Sequence, residues 1–332
     1  MPAKAEGQKI PGSSHKLLSR YAEHAMWLGR YIERAENLAR LLSVTEGFAA
    51  GDDDEAAWRS VLDTFQDAPA FHKAKPKLTG INVVRWYFTD KSNPNSILSA
   101  LAAARENARA LRHISPIESW KQINMLYAEV ADLKSRQVTL PKLNQLCERV
   151  RLSCMTHQGL VDGTWYRDEA WLFHRLGSEL ERADQTTRLL DVKYYQLKSA
   201  GAEDDAGFVP PDIVWWNSLL RSASSYHAFR RRHSLSAGPT EAAAFLLFDS
   251  DCPRSVKLSA LAVTDRLREL EHDYGAAPDE ALKEQCRKLL ALLQPDAPVK
   301  PGKSLHAYLD EVQVQLNAFS SALAARYFIA ND

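Results

Sequence analysis

The chain lacks an excess of either charge. Its 42 Lys+Arg are matched by 42 Asp+Glu over 332 residues, which excludes the basic footprint of a nucleic-acid or membrane-surface binder. No stretch approaches the ~20 apolar residues of a spanning helix. The first fourteen residues hold Pro, Gly, Ser and Lys but no apolar run, so 1–14 reads as a disordered start and not a secretory leader. Cysteine is sparse. Cys147, Cys154, Cys252 and Cys286 form no CxxC pair, and the first two, on one helix face, read as packed thiols suited to a reducing compartment. Also missing are G-x-S-x-G, a Walker loop, G-x-G-x-x-G and H-E-x-x-H. The expectation is a soluble cytoplasmic protein, long enough for one large core or two modest ones.

What the chain does have, it has twice. Leu28 to Leu42, LGRYIERAENLARLL, returns 148 positions later as Leu176 to Leu190, LGSELERADQTTRLL. At 100° per residue, Gly29, Glu33, Glu36 and Arg40 fall on one stripe, and so do Gly177, Glu181, Asp184 and Arg188. Leu28, Ile32, Ala35, Leu38 and Leu42 line the opposite face of the first helix, and Leu176, Leu180, Ala183 and Leu190 that of the second. The recurrence extends further. Trp58-Arg59-Ser60-Val61-Leu62 pairs with Trp216-Asn217-Ser218-Leu219-Leu220, and Pro94-Asn95-Ser96-Ile97 with Pro253-Arg254-Ser255-Val256. The pattern predicts an all-α, internally duplicated helical bundle: two pseudo-symmetric halves, 15–160 and 165–332, packed as one body.

Taken in order, Ser13 or Ser14 caps a helix to Gly47, and a second spans about 56–67. Residues 72–80 read as a loop and 81–89 as a short buried helix. Asn95 caps a helix to His113, and Ser115-Pro116-Ile117-Glu118 reads as a capping box opening the next. Pro141 opens a helix that Asp162-Gly163 breaks, the second motif helix follows over about 168–199, 201–211 is a linker, and a last helix starts near Ser304.

Two accounts of the polar stripe compete. Glu36–Arg40 and Asp184–Arg188 are i,i+4 pairs that a solvated face would carry at ~0.2–0.5 kcal/mol each. A glycine recurring mid-helix at a cost of ~1 kcal/mol instead points to close approach of another backbone or a ligand. Glu33, Glu36, Glu181 and Asp184 are therefore candidate catalytic or amine-binding carboxylates, or members of a buried ion-pair scaffold. Arg40, Arg188, Arg105, Arg109 and Arg254 are candidate anion binders, since guanidinium pairs bidentately with carboxylate or phosphate. His174, on the second stripe, is a further candidate substrate-binding residue, although Met26 holds its place on the first. With no histidine in either Glu33-x-x-Glu36 or Glu181-x-x-Asp184, a di-iron site is not supported, no metal ligand set is assigned, and a Mg²⁺ shared with a substrate phosphate stays open.

From Trp27-Leu28-Gly29-Arg30-Tyr31-Ile32-Glu33-Arg34-Ala35-Glu36, through Ala104-Arg105-Glu106-Asn107-Ala108-Arg109 and Trp120 with Asn124, to Leu180-Glu181-Arg182-Ala183-Asp184 and Pro253-Arg254-Ser255-Val256, the sequence resembles the bacterial alpha-E family. The likeness covers nearly the whole chain from about Leu17. Ser178-Glu179 stands where the family usually has Arg-Tyr, so the second stretch lacks an equivalent of Arg30. The resemblance implies an all-α protein encoded beside a circularly permuted ATP-grasp ligase and a transglutaminase-like peptidase. It thereby implies a role with a carboxylate–amine ligase acting on a peptide or amino acid. The alternatives are a non-catalytic scaffold docking that ligase and a carboxylate-metal hydrolase.

Overall fold

A computed structural model describes residues 17, 19–75, 77–199, 213–234, 237–274, 279–294 and 305–328, the side chains of 193–199 and 213–215 excepted. The described residues form fourteen α-helices, one 3-10 turn at Ser135–Gln137 and no strand. The two motif stretches are the long helices α1 (Ser19–Phe48) and α8 (Glu169–Ser199), which pack against each other through the centre. Their contacts keep to nearly one sequence offset, with Arg34 on Glu181 and Arg182 on Glu33, so the two helices run in the same direction.

Between them lie α2 (Glu55–Thr64), α3 (Ala68–Ala74), α4 (Gly80–Phe88), α5 (Ile97–Ala110), α6 (Ile117–Ala131) and α7 (Leu140–Thr164). After α8 come α9 (Ile213–Ser222), α10 (Tyr226–Arg232), α11 (Pro239–Phe248), α12 (Val256–Tyr274), α13 (Glu280–Leu292) and α14 (Leu305–Tyr327). Helices α5 and α7 flank α1, while α12 and α14 flank α8. Apolar faces from both groups merge into one core that includes Leu28, Ile32, Leu38, Trp58, Phe71, Leu176, Phe229 and Phe319. Among the described residues, non-glycine residues turn left-handed at two points, Gln66 (φ 57°) and Ser224 (φ 55°), each just past α2 or α9.

Several boundaries differ from the sequence reading. The first helix is described from Ser19, and Ser13, Ser14 and the 201–211 linker lie outside the described residues. Residues 72–74 are not loop but the end of α3, which Pro69 opens in its first turn. Ser96, not Asn95, caps α5, its hydroxyl accepting from Ser99 N at 3.1 Å. No capping box forms at α6. Ser115 N still donates to Leu111 O at 2.9 Å, finishing the preceding turn, so Pro116 takes the cap position without a side-chain bond. Asp162-Gly163 does not break α7, which runs on to Thr164 and stops where Trp165 turns extended. Among the described residues, no helix is long and apolar enough to cross a membrane. All four cysteines are free and buried, as packed thiols.

Candidate functional site

The repeated glycines are contact points between the two motif helices. A Cβ on Gly29 would overlap the His174 carbonyl oxygen and crowd Ser178, and one on Gly177 would overlap the Met26 carbonyl. Removing both side chains lets the backbones touch, which accounts for glycine where helix propensity disfavours it.

One turn beyond that crossing, each helix holds the other by a Glu-Arg dipeptide. Arg34 Nε and Nη2 donate to Glu181 Oε1 and Oε2 at 2.7 and 3.1 Å. In return, Arg182 Nε and Nη2 donate to Glu33 Oε1 and Oε2 at 3.2 and 3.0 Å. Both are two-point forks, the guanidinium geometry that best matches a carboxylate. Arg254, just before α12, adds Nη1 to Glu33 and, at 2.9 Å, to Asn37, and Nη2 to Glu36 at 2.9 Å. Arg40 closes on Glu36, with Arg151 of α7 at 4.0 Å. Arg30 lies 3.5 Å from Glu181. Glu33, Glu36 and Glu181 are all 0% exposed.

Burial works against the charged forms of Glu33 and Glu181, but the arginines outweigh it. Arg182 and Arg254 hold Glu33 well below the usual range, and Arg34 with Arg30 lowers Glu181. A carboxylate held down this way is a weak base at neutral pH. Arg40 is the cation under pressure: burial first, then the like charges of Arg254 and Arg151, lower it to about 9.

Of the residues singled out in sequence, Glu33, Glu36, Glu181, Arg40 and Arg254 come together. Asp184 and Arg188 pair with each other at 2.8 Å on the rim. Arg105 and Arg109 do not join the cluster. Arg105 donates to Asn124 at 2.6 Å beneath Trp120 and Tyr127, and Arg109 sits on Glu106 at 2.6 Å. His174 is buried in a separate chain of contacts. Its Nε2 lies 3.3 Å from His157 Nε2, and His157 Nδ1 lies 3.2 Å from Ser119 Oγ. Desolvation lowers His157 to about 4 and, with the neighbouring His157 and Arg175, takes His174 well below its ordinary value. Among the described residues, one trio, Asp191, His306 and Asp310, has metal-ligand spacing, at the exposed junction of α8 and α14.

Sequence reasoning passed over Arg34 and Arg182, which lie ~100° off the glutamate stripe. Their recurrence in register was the available signal. A family profile described as "A predicted alpha-helical domain with a conserved ER motif" matches residues 17–328. The chain belongs to the Alpha-E family. Similar relatives are an uncharacterized protein of Mycobacterium bovis and two of Mycobacterium tuberculosis strains, each 23% identical over 315 residues. The match covers 89% of this Alpha-E chain and 34% of each relative, so the chain spans about a third of their length. No solved structure matches.

Proposed function

We propose that this Alpha-E protein is a rigid, non-catalytic helical module that docks an ATP-grasp carboxylate–amine ligase and supports its work on a peptide or amino-acid substrate. The observation that carries the non-catalytic part is the closure of Glu33, Glu36 and Glu181, which are fully buried and engaged by arginines. Charges with their donors already committed brace a fold rather than receive an amine. In this reading the family's ER motif is Glu33-Arg34 together with Glu181-Arg182, and its task is to cross-lock two copies of one ancestral unit, 15–160 and 165–332. The ligase, and a transglutaminase-like peptidase as a further partner, come from the family resemblance. The relatives' longer chains support association with other polypeptide, since there an Alpha-E segment is covalently joined to about twice its own length.

The test mixes the protein with the ATP-grasp enzyme encoded beside it and follows complex formation, ATP use and product mass. Wild type is compared with a Glu33→Gln, Glu181→Gln double variant. The expected outcome is a lower melting temperature, with product formed in proportion to the folded fraction. A variant that melts normally and binds the ligase but gives no product would make the glutamates catalytic. Absence of any complex would remove the ligase from the proposal.

A further inference from the structure

The last helix, α14, packs along α8, and where it begins three metal-ligating side chains converge. His306 and Asp310 stand four residues apart and so share one face of α14. Asp191 reaches them from α8. One ligand atom of each residue lies within 4.8 Å of the other two. The trio takes no part in the Glu-Arg contacts of the motif helices.

Three features separate it from an ordinary surface ion pair. The first is charge. Along the middle of α8, Glu179, Glu181 and Asp184 are each met by arginine. Among the described residues, Asp191 and Asp310 have neither lysine nor arginine as partner and share the His306 imidazole. Even a protonated His306 leaves one negative charge over, which a divalent cation neutralises.

The second feature is distance. His306 Nδ1 is hydrogen-bonded to Asp191 Oδ1 at 2.6 Å, but His306 Nε2 lies 3.5 Å from Asp310 Oδ2. That is longer than the roughly 2.7–3.2 Å of an N–H···O bond. Zinc with bonds of about 2.0–2.1 Å holds neighbouring tetrahedral ligand atoms ~3.3 Å apart, so this edge already has the width an ion requires. The third feature is the donor set. Two ligands at i,i+4 on one helix and a third from a neighbouring helix is a spacing that zinc sites use. Imidazole among the donors favours zinc over calcium or magnesium, which take oxygen ligands. The side chains of Asp191, His306 and Asp310 are 21%, 53% and 57% exposed, so an ion has a path in and water can complete its shell.

We propose that Asp191, His306 and Asp310 form a zinc site that ties the start of α14 to α8, with water in the fourth position. Zinc takes the place of the hydrogen that His306 shares with its carboxylates, and that proton goes to solvent. The site is independent of the ligase docking above, and its occupancy is read on the isolated protein.

The experiment is calorimetric titration of the full chain, freed of any histidine tag, with zinc chloride at about pH 7.5, where imidazole is largely neutral. Magnesium and calcium chloride serve as comparators. One zinc per chain is expected to bind in the micromolar range and to raise the melting temperature, with magnesium and calcium at least tenfold weaker. His306→Ala and Asp310→Asn change exposed side chains, so each should keep the metal-free melting temperature while losing tenfold or more in zinc affinity and the thermal shift with it. Cobalt(II) should give the visible bands of a nitrogen- and oxygen-ligated ion without a thiolate charge-transfer band, which separates this site from the four cysteines. Wild-type zinc affinity in His306→Ala, a thiolate band with cobalt, magnesium or calcium binding as tightly as zinc, or no zinc binding at all would each overturn the proposal.

Discussion

Glu36 on α1 and Asp184 on α8 each stand seven residues after a motif glycine and four before an arginine, yet Glu36 is fully buried while the Asp184 side chain is 19% exposed. The local sequence is nearly the same, so the difference comes from what the flanking helices bring. Arg254 leans onto Glu36 from the loop before α12, and Arg151 approaches from α7. At the corresponding place before α5 stands Asn95, and its side chain turns away to Asp67 at 3.0 and 3.1 Å. One carboxylate is thereby sealed under guanidinium and the other left at the rim. A motif read along one helix predicts which face is polar, whereas its neighbours decide whether that face is dry.

The widest separation between the two sites should appear when each carboxylate is deleted. Glu36→Ala leaves Arg40 buried without its carboxylate and strips Arg254 of one of its two, a loss of about 3–5 kcal/mol. Urea unfolding followed by circular dichroism should show the midpoint collapse, and Glu33→Ala should behave alike. A cost for Glu36→Ala below about 1 kcal/mol would mean the cluster is hydrated in solution, and the contrast with Asp184 would disappear.

That contrast also marks how far the sequence could be read. The helical class, the amphipathic faces of α1 and α8 and the shared stripe of Glu33, Glu36 and Arg40 followed from periodicity and recurrence, whereas the meeting of that stripe with Glu181 and Arg254 is set by how the helices pack. The glycines suggested close approach, and the partner is the other motif helix's backbone. Arg34 and Arg182 escaped because a helical wheel reports a helix's own stripe, and these two sit a quarter-turn off it, facing the carboxylate of the neighbouring helix. Arg105 and Arg109 looked like an anion row, but α5 spends them on Glu106 and Asn124. Boundary errors such as the absent capping box at α6 arose where one turn ends inside the next helix's cap, a competition between hydrogen bonds that no local motif reveals.

The second largest separation concerns acid. His174 on α8 stands where α1 has Met26, and it is coupled to the buried His157. His157 titrates near 4 in the fold, below its ordinary 6.5, so the unfolded chain takes up that proton first. Stability is therefore whole above pH 6.5 and falls progressively toward pH 4, by about 3 kcal/mol for His157 alone. Glu33 and Glu181 are held low by their arginines, so they keep their charge further into acid than free carboxylates do and add little to the slope above about pH 4.5. A His157→Leu, His174→Met variant should show a flatter stability profile over that window, measured by urea midpoints at each pH. An unchanged slope would locate the sensitivity elsewhere.

The glycine crossing should respond almost equally from either side. Gly29→Ala and Gly177→Ala each drive a Cβ into a carbonyl oxygen of the other helix, which must retreat. Overpacking of this kind costs about 1–3 kcal/mol, and the improved helix propensity of alanine returns at most ~1 kcal/mol of it. Matching drops in melting temperature are expected from thermal denaturation. If one substitution stabilises while the other destabilises, the two helices do not cross at reciprocal points.

The smallest effect is the sharpest test of the comparison. Asp184 and Arg188 form an i,i+4 pair at 2.8 Å, with side chains 19% and 26% exposed. Water and salt reach such a pair, and its coupling should be about 0.3–0.5 kcal/mol. Asp184→Ala, Arg188→Ala and the double variant close a cycle that isolates this coupling. It should vanish in 1 M salt, where the Debye length is ~3 Å, while the Glu36 cluster, dry and multiply bonded, keeps its energy. Arg30 and Arg34 also lie within the field of Asp184, so its deletion should weaken their hold on Glu181 only slightly, because that fork is made by contact and not by distant charge. A salt-resistant coupling above about 2 kcal/mol would show that Asp184 is as sealed as Glu36. The difference between the two helices would then lie in side-chain length alone, rather than in Arg254.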